Sequence, residues 1–68
     1  MTTIRLNGRE HGFAGATVAD LLASLSLDPS RRGIAVAVNG DVVRRADWTA
    51  ASLAAGDEVE VIRPLQGG

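Results

Sequence analysis

The residues best suited to chemistry in this 68-residue chain are its last two, Gly67 and Gly68. Lacking side chains, they can thread a narrow channel and adopt conformations closed to other residues, presenting the Gly68 carboxylate away from the body of the protein. Positions 64–68, fully extended, reach roughly 17 Å. A carboxylate is a poor electrophile because its leaving group would be an oxide, so useful chemistry requires activation, most simply as an acyl-adenylate made from ATP. A sulfur nucleophile then gives a thiocarboxylate, or an enzyme thiol gives a thioester that passes to an amine. Two terminal glycines do not choose between these outcomes, and a frayed, inert end is the third reading.

The rest of the composition removes most other chemistry. Cysteine is absent, which excludes disulfides, thiolate metal sites and cysteine-held clusters. His11 is the single histidine, too few for a Cys/His zinc site and without a convincing Ser-His-Asp triad, and it reads as a half-exposed strand residue. All seven basic residues are arginines, so no side-chain amine is offered for an isopeptide bond or a Schiff base. Arg31-Arg32 and Arg44-Arg45 read as solvated loop charge, with contact to acidic partner surfaces as the functional alternative. Asp57, Glu58 and Glu60 follow a turn glycine and then alternate along a strand, a solvated face rather than a cation site, and no metal is expected. A net charge of −1 lacks the one-signed excess of a nucleic-acid binder. No apolar run approaches the ~20 residues of a membrane span, and no signal-like N-terminus is present, so the chain reads as soluble and cytoplasmic.

The elements that must position the tail can be read from periodicity. Ile4 and Leu6 alternate with Thr3 and Arg5 as in a half-buried strand, Asn7-Gly8 supplies a tight turn, and Arg9 to Phe13 returns as a hairpin arm. Thr17 with Asp20 forms a capping box, and Val18, Leu21, Leu22 and Leu25 line one apolar stripe of a helix expected to end at Asp28-Pro29. Ile34 to Val38 and Val42-Val43 form a second strand pair around Asn39-Gly40. A short helical turn is expected within 46–55, where Trp48 belongs to the core. Glu58 to Arg63 alternates again as a central strand until Pro64 stops the ladder. With the first and last strands side by side in parallel and the helix across one face, this is an α+β, β-grasp arrangement: a mixed sheet of four to five strands packed on one main helix. Residues 1–63 form the domain and 64–68 an extended tail. Ile62 lies opposite Val59 and Val61 in strand phase, and Ala35 and Ala37 alternate out of phase with their valine neighbours, so Ile62, Ala35 and Ala37 are read either as an exposed apolar docking patch beside the tail or as scattered surface aliphatics without a role. Arg63, Leu65 and Gln66 would guide the tail, with an ordinary solvated strand end as the other reading of Arg63.

Taken together, Ile4 to Gly8, Thr17 to Leu22, Val36 to Val43, Trp48, Leu53, Gly56 to Val61 and Gly67-Gly68 resemble the ThiS family, the ubiquitin-like β-grasp sulfur carriers of thiamine biosynthesis. The family often has Pro where Arg44 stands. The resemblance implies that the Gly68 carboxylate is adenylated by a ThiF-type enzyme, converted to a thiocarboxylate with sulfur from a sulfur-donor protein, and delivered to thiazole synthase. Leu65, Gln66 and Gly67 would thread the partner's channel. On this reading the chain is a carrier and co-substrate rather than an enzyme, monomeric alone, with no bound cofactor; ATP and magnesium belong to the activating enzyme. The alternatives are the small subunit of molybdopterin synthase, a modifier joined through Gly68 to target lysines, and a binding module with an inert tail.

Overall fold

The computed structural model describes residues 1–30 and 32–63; Arg31 and positions 64–68 lie outside the described residues. Strands β1 (Thr2–Leu6) and β2 (Arg9–Phe13) pair antiparallel about Asn7-Gly8, and β3 (Ala35–Val38) and β4 (Asp41–Val43) do so about Asn39-Gly40. Both residues of each turn have positive φ, 49° and 84° in the first, 51° and 88° in the second. That is the primed geometry whose twist matches the flanking strands, and it explains why the sequence places Asn-Gly at both sites.

The last strand, β5 (Glu58–Ile62), enters the middle of the sheet, giving the order β2-β1-β5-β3-β4. It runs parallel to β1 with Leu6 beside Val59, and antiparallel to β3 with Val36 opposite Val61. The expected parallel pairing of first and last strands and the central place of the last are both observed. Asparagine side chains from the two hairpin turns hold β5 at both ends. Asn39 Oδ1 accepts from the Glu58 N–H at 2.9 Å. Asn7 Oδ1 accepts from the Val61 N–H at 2.9 Å, and Asn7 Nδ2 donates to the Val61 carbonyl at 3.2 Å.

Helix α1 (Val18–Ser24) covers one sheet face, with Val18, Leu21 and Leu22 fully buried against Ile4, Val36 and Val59. Its start is the expected capping box: Thr17 Oγ1 accepts from the Asp20 N–H at 3.2 Å, while Asp20 Oδ2 accepts from the N–H groups of Ala16 and Thr17 at 2.9 and 3.1 Å. Such a cap contributes about 1 kcal/mol. Gly15 makes room for it, because its φ is +138° and a Cβ there would stand 2.4 Å from Asp20 Cβ.

The helix ends earlier than the Asp28-Pro29 signal suggests. Ser26 adopts φ +59°, the Ser26 N–H donates to the Ala23 carbonyl at 3.0 Å, and the Leu27 N–H reaches back to the Leu22 carbonyl at 2.9 Å. These two bonds about a left-handed residue make a Schellman stop, usually built on glycine, with Leu27 folding back onto the core. A serine in that position gives no sequence warning.

Trp48 is buried as expected, follows a 3-10 turn at Arg45–Asp47, and donates Nε1–H to the Val43 carbonyl at 3.0 Å. Arg45 departs from the reading of solvated loop charge: its guanidinium lies 4.6 Å from the Trp48 ring centroid and donates to the Pro29 carbonyl. A cation over an indole at an exposed site contributes about 0.5–1 kcal/mol. Asp57 closes the turn before β5, accepting from the Ala54 N–H at 2.9 Å and from Asn39 Nδ2 at 3.3 Å. Among the described residues no buried side-chain polar atom lacks a hydrogen-bond partner, and no helix is long and apolar enough to cross a membrane.

Two measurements check this local account. Replacing Ser26 by glycine removes the cost of a left-handed L-residue and adds unfolded-chain freedom, for a net gain of about 0.5 kcal/mol. The thermal midpoint should rise by roughly 2–4 °C; an unchanged or lower midpoint contradicts the motif. The N–H groups of Ala16 and Thr17, with the Thr17 hydroxyl, hold the Asp20 carboxyl below the ordinary aspartate value. A carboxyl so lowered stabilises fully above its unfolded value, about pH 4, and loses that contribution as pH falls through the folded one. The stability gap between the parent and Asp20→Asn should therefore be widest at neutral pH and close in acid, and a pH-independent gap contradicts the assignment.

Candidate functional site

Strand alternation divides β5 between two environments. Val59 and Val61 point into the core, while Glu58, Glu60 and Ile62 stand on the open face of the sheet. On β3, Val36 points inward and Ala35 and Ala37 outward. The register sets Ala35 opposite Ile62, and Ala37 opposite Glu60 on one side and Val42 on the other. Ile62 and Val42 are 65% and 77% exposed, and around the two alanines they rim a shallow hollow of about 120 Å³ with Glu60 at its edge.

Ile62, Ala35 and Ala37 are thus brought together as expected, at the end of the strand that leads to the tail. Arg63 follows directly and is exposed. Leu65, Gln66, Gly67 and Gly68 lie outside the described residues. Val42 is a member that strand propensity alone does not reveal. Its place follows once the Asn39-Gly40 turn is taken as two residues long, because that length sets Val42 across from Ala37. The alanines keep the hollow open, since any larger side chain at 35 or 37 would fill it.

The other half of the open face is polar. Thr3, Arg5, Glu10 and Gly56 line a wider depression of about 420 Å³, in which Arg5 pairs across the sheet with Glu10 and Glu58 and donates to the Gly8 carbonyl at 3.1 Å. His11 lies in register with buried Ile4 on the helix side, stacks on Phe13 with centroids 6.5 Å apart, and its Nε2 lies 3.3 Å from Ser24 Oγ. Its surroundings are those of a packed strand residue. Among the described residues no group of three or more His, Asp or Glu side chains is arranged to hold a metal ion. What the described face can do is recognise: an apolar hollow with a single carboxylate rim, joined through Arg63 to the chain's last residues.

The ThiS family model matches residues 4–68, nearly the whole chain and through its final glycine. Among solved structures, the chain is similar to a crystal structure of the thiamine biosynthesis protein ThiS from Geobacter metallireducens. The two are 28% identical with a TM-score of 0.76 over 98% of this chain and 100% of that one. An NMR solution structure of a thiamine biosynthesis protein from the same organism gives 28% identity and a TM-score of 0.77 over 98% and 88%. Among curated proteins there is no significant match. The β-grasp order, with its last strand central and its single covering helix, agrees with a match that runs end to end: the chain belongs to the ThiS family.

Proposed function

We propose that this protein is a sulfur carrier for thiazole formation in thiamine biosynthesis, working through the carboxylate of Gly68. The observation that carries the reading is the family match extending through residue 68, together with a central strand that ends beside an exposed apolar hollow. In the first step a carboxylate oxygen attacks the α-phosphorus of ATP and pyrophosphate leaves, on a ThiF-type enzyme that supplies the nucleotide site and magnesium. In the second, sulfur delivered at the oxidation level of sulfide by a donor protein attacks the acyl carbon and AMP leaves, giving the thiocarboxylate. Thiazole synthase then takes the sulfur, and the carrier returns as the carboxylate.

The chain's own contribution is binding and presentation. The activating enzyme meets the hollow formed by Ile62, Ala35, Ala37 and Val42, and Arg63, Leu65, Gln66 and Gly67 lead the carboxylate into its channel. Small residues at the end of the tail suit a channel too narrow for side chains. The carrier binds no cofactor of its own and acts as a monomer between transient partners. The small subunit of molybdopterin synthase would use the same activation, but the similar structures are of thiamine biosynthesis proteins, which favours the thiazole branch.

Complementation tests the reading. The parent chain should restore growth without thiazole to a strain lacking its own carrier, and removal of Gly67-Gly68 should abolish rescue. Ile62→Glu, folded but bearing a charge in the hollow, should need several-fold more protein for equal growth. Rescue of molybdenum-cofactor synthesis instead would move the protein to the rival branch, and full rescue by the truncated chain would overturn the carboxylate mechanism.

A further inference from the structure

We infer that Asn7 is a positioning residue for the reaction at Gly68: its side-chain amide takes the place of a missing peptide unit of β1 and fixes the root from which the tail leaves. This deepens the proposed sulfur-carrier function and rests on it. Strand β1 ends at Leu6, whereas its neighbour β5 continues to Ile62. The Asn7 N–H donates to the Val59 carbonyl at 2.9 Å, the last backbone bond between the two strands described at this end. One repeat further along β5, the N–H and carbonyl of Val61 face a position where the β1 chain has already turned away. Both are met by the Asn7 side chain, 54 residues away in sequence, at 2.9 and 3.2 Å.

A carboxamide carries one acceptor and one donor side, as a peptide group does, so it can close both bonds at once; a carboxylate can accept but cannot donate. The parallel ladder is thereby carried to within two residues of Arg63. Asn7 is also held in the left-handed turn conformation, which a short amide side chain tolerates. The hollow around Ile62 and Val42 lies on the β3 side of β5 and is untouched by these bonds, so recognition of the body and presentation of the tail root are separable.

Three variants test this. Asn7→Gly keeps the turn and removes the side-chain bonds. Asn7→Asp keeps turn, size and acceptor but sets a carboxylate oxygen against the Val61 carbonyl. Asn39→Gly removes the corresponding bonds from the opposite end of β5 and controls for lost stability. In the intact chain, amide exchange at Val61 should quicken at least roughly tenfold in Asn7→Gly, as a lost hydrogen bond of about 1.4 kcal/mol would give, and by less in Asn7→Asp, which keeps the acceptor for that N–H, with Ile4 and Val36 unchanged. With a ThiF-type enzyme and ATP, kcat for Gly68 adenylation should fall several-fold in both Asn7 variants at nearly constant KM. In Asn39→Gly it should match the parent below the melting range. Unchanged kcat in Asn7→Gly, or an equal loss in Asn39→Gly, overturns the positioning role while leaving the carrier function standing. A parent chain that is never adenylated overturns both, and the exchange data then describe a structural clamp alone.

Discussion

The structure depends on inserting the last strand of the chain into the middle of its sheet. A central strand must satisfy backbone groups on both edges, and β5 does so between a parallel neighbour that is one residue pair too short and an antiparallel neighbour that turns away at its start. The shortfalls fall at opposite ends of β5, and each is met by the asparagine of an Asn-Gly turn: Asn39 at Glu58 and Asn7 at Val61. The same residue type therefore serves two physical needs at each site, tolerance of a left-handed backbone and a side-chain amide that bonds to main chain. With β5 fixed in this way, Val59 and Val61 fall under the helix, and Glu58, Glu60 and Ile62 are set on the open face.

One covered face and one open face divide the work of the molecule. The helix, the Trp48 segment and the inward valines build a core of aliphatic side chains on one side. Stability is thus obtained without the open face, whose β3 to β5 half is free to stay apolar and exposed. A chain of this size buries only about 60% of its extended surface, so such a hollow is a concession in stability, consistent with a face that meets partners. The strand that lines it is also the strand that leads to the tail, so Gly68 lies six positions beyond Ile62 in a single segment of the sequence.

Much of this was legible in the sequence because the decisive signals were local. The alternation of Ile4 with Leu6 and of Val59 with Val61, the two Asn-Gly turns and the Thr17–Asp20 box each fix an element within a few residues, and the parallel pairing of first and last strands follows from them. Ile62 with Ala35 and Ala37 was readable from strand phase alone. What was not legible depends on partners far away in the chain or on unusual backbone. Ser26 stops the helix without the glycine that would announce it. Arg45 covers Trp48, where a pair of loop arginines suggests solvated charge or an acidic partner surface. The bonds from Asn7 to Val61 cross the whole sequence, and nothing near Asn7 signals that its side chain does more than permit a turn.

The proposed carrier function requires the Gly68 carboxylate to be activated and loaded with sulfur. The most direct test is the intact mass of the chain after incubation with a ThiF-type enzyme, ATP, magnesium and sulfide, beside the same mixture without ATP. Exchange of one oxygen for sulfur is expected, placed by fragmentation in the last residues and blocked from further transfer by thiol alkylation, only when ATP is present. Placement matters because oxidation of Met1 or Trp48 adds nearly the same mass. An unmodified chain, in a mixture whose enzyme loads an established carrier, would contradict it.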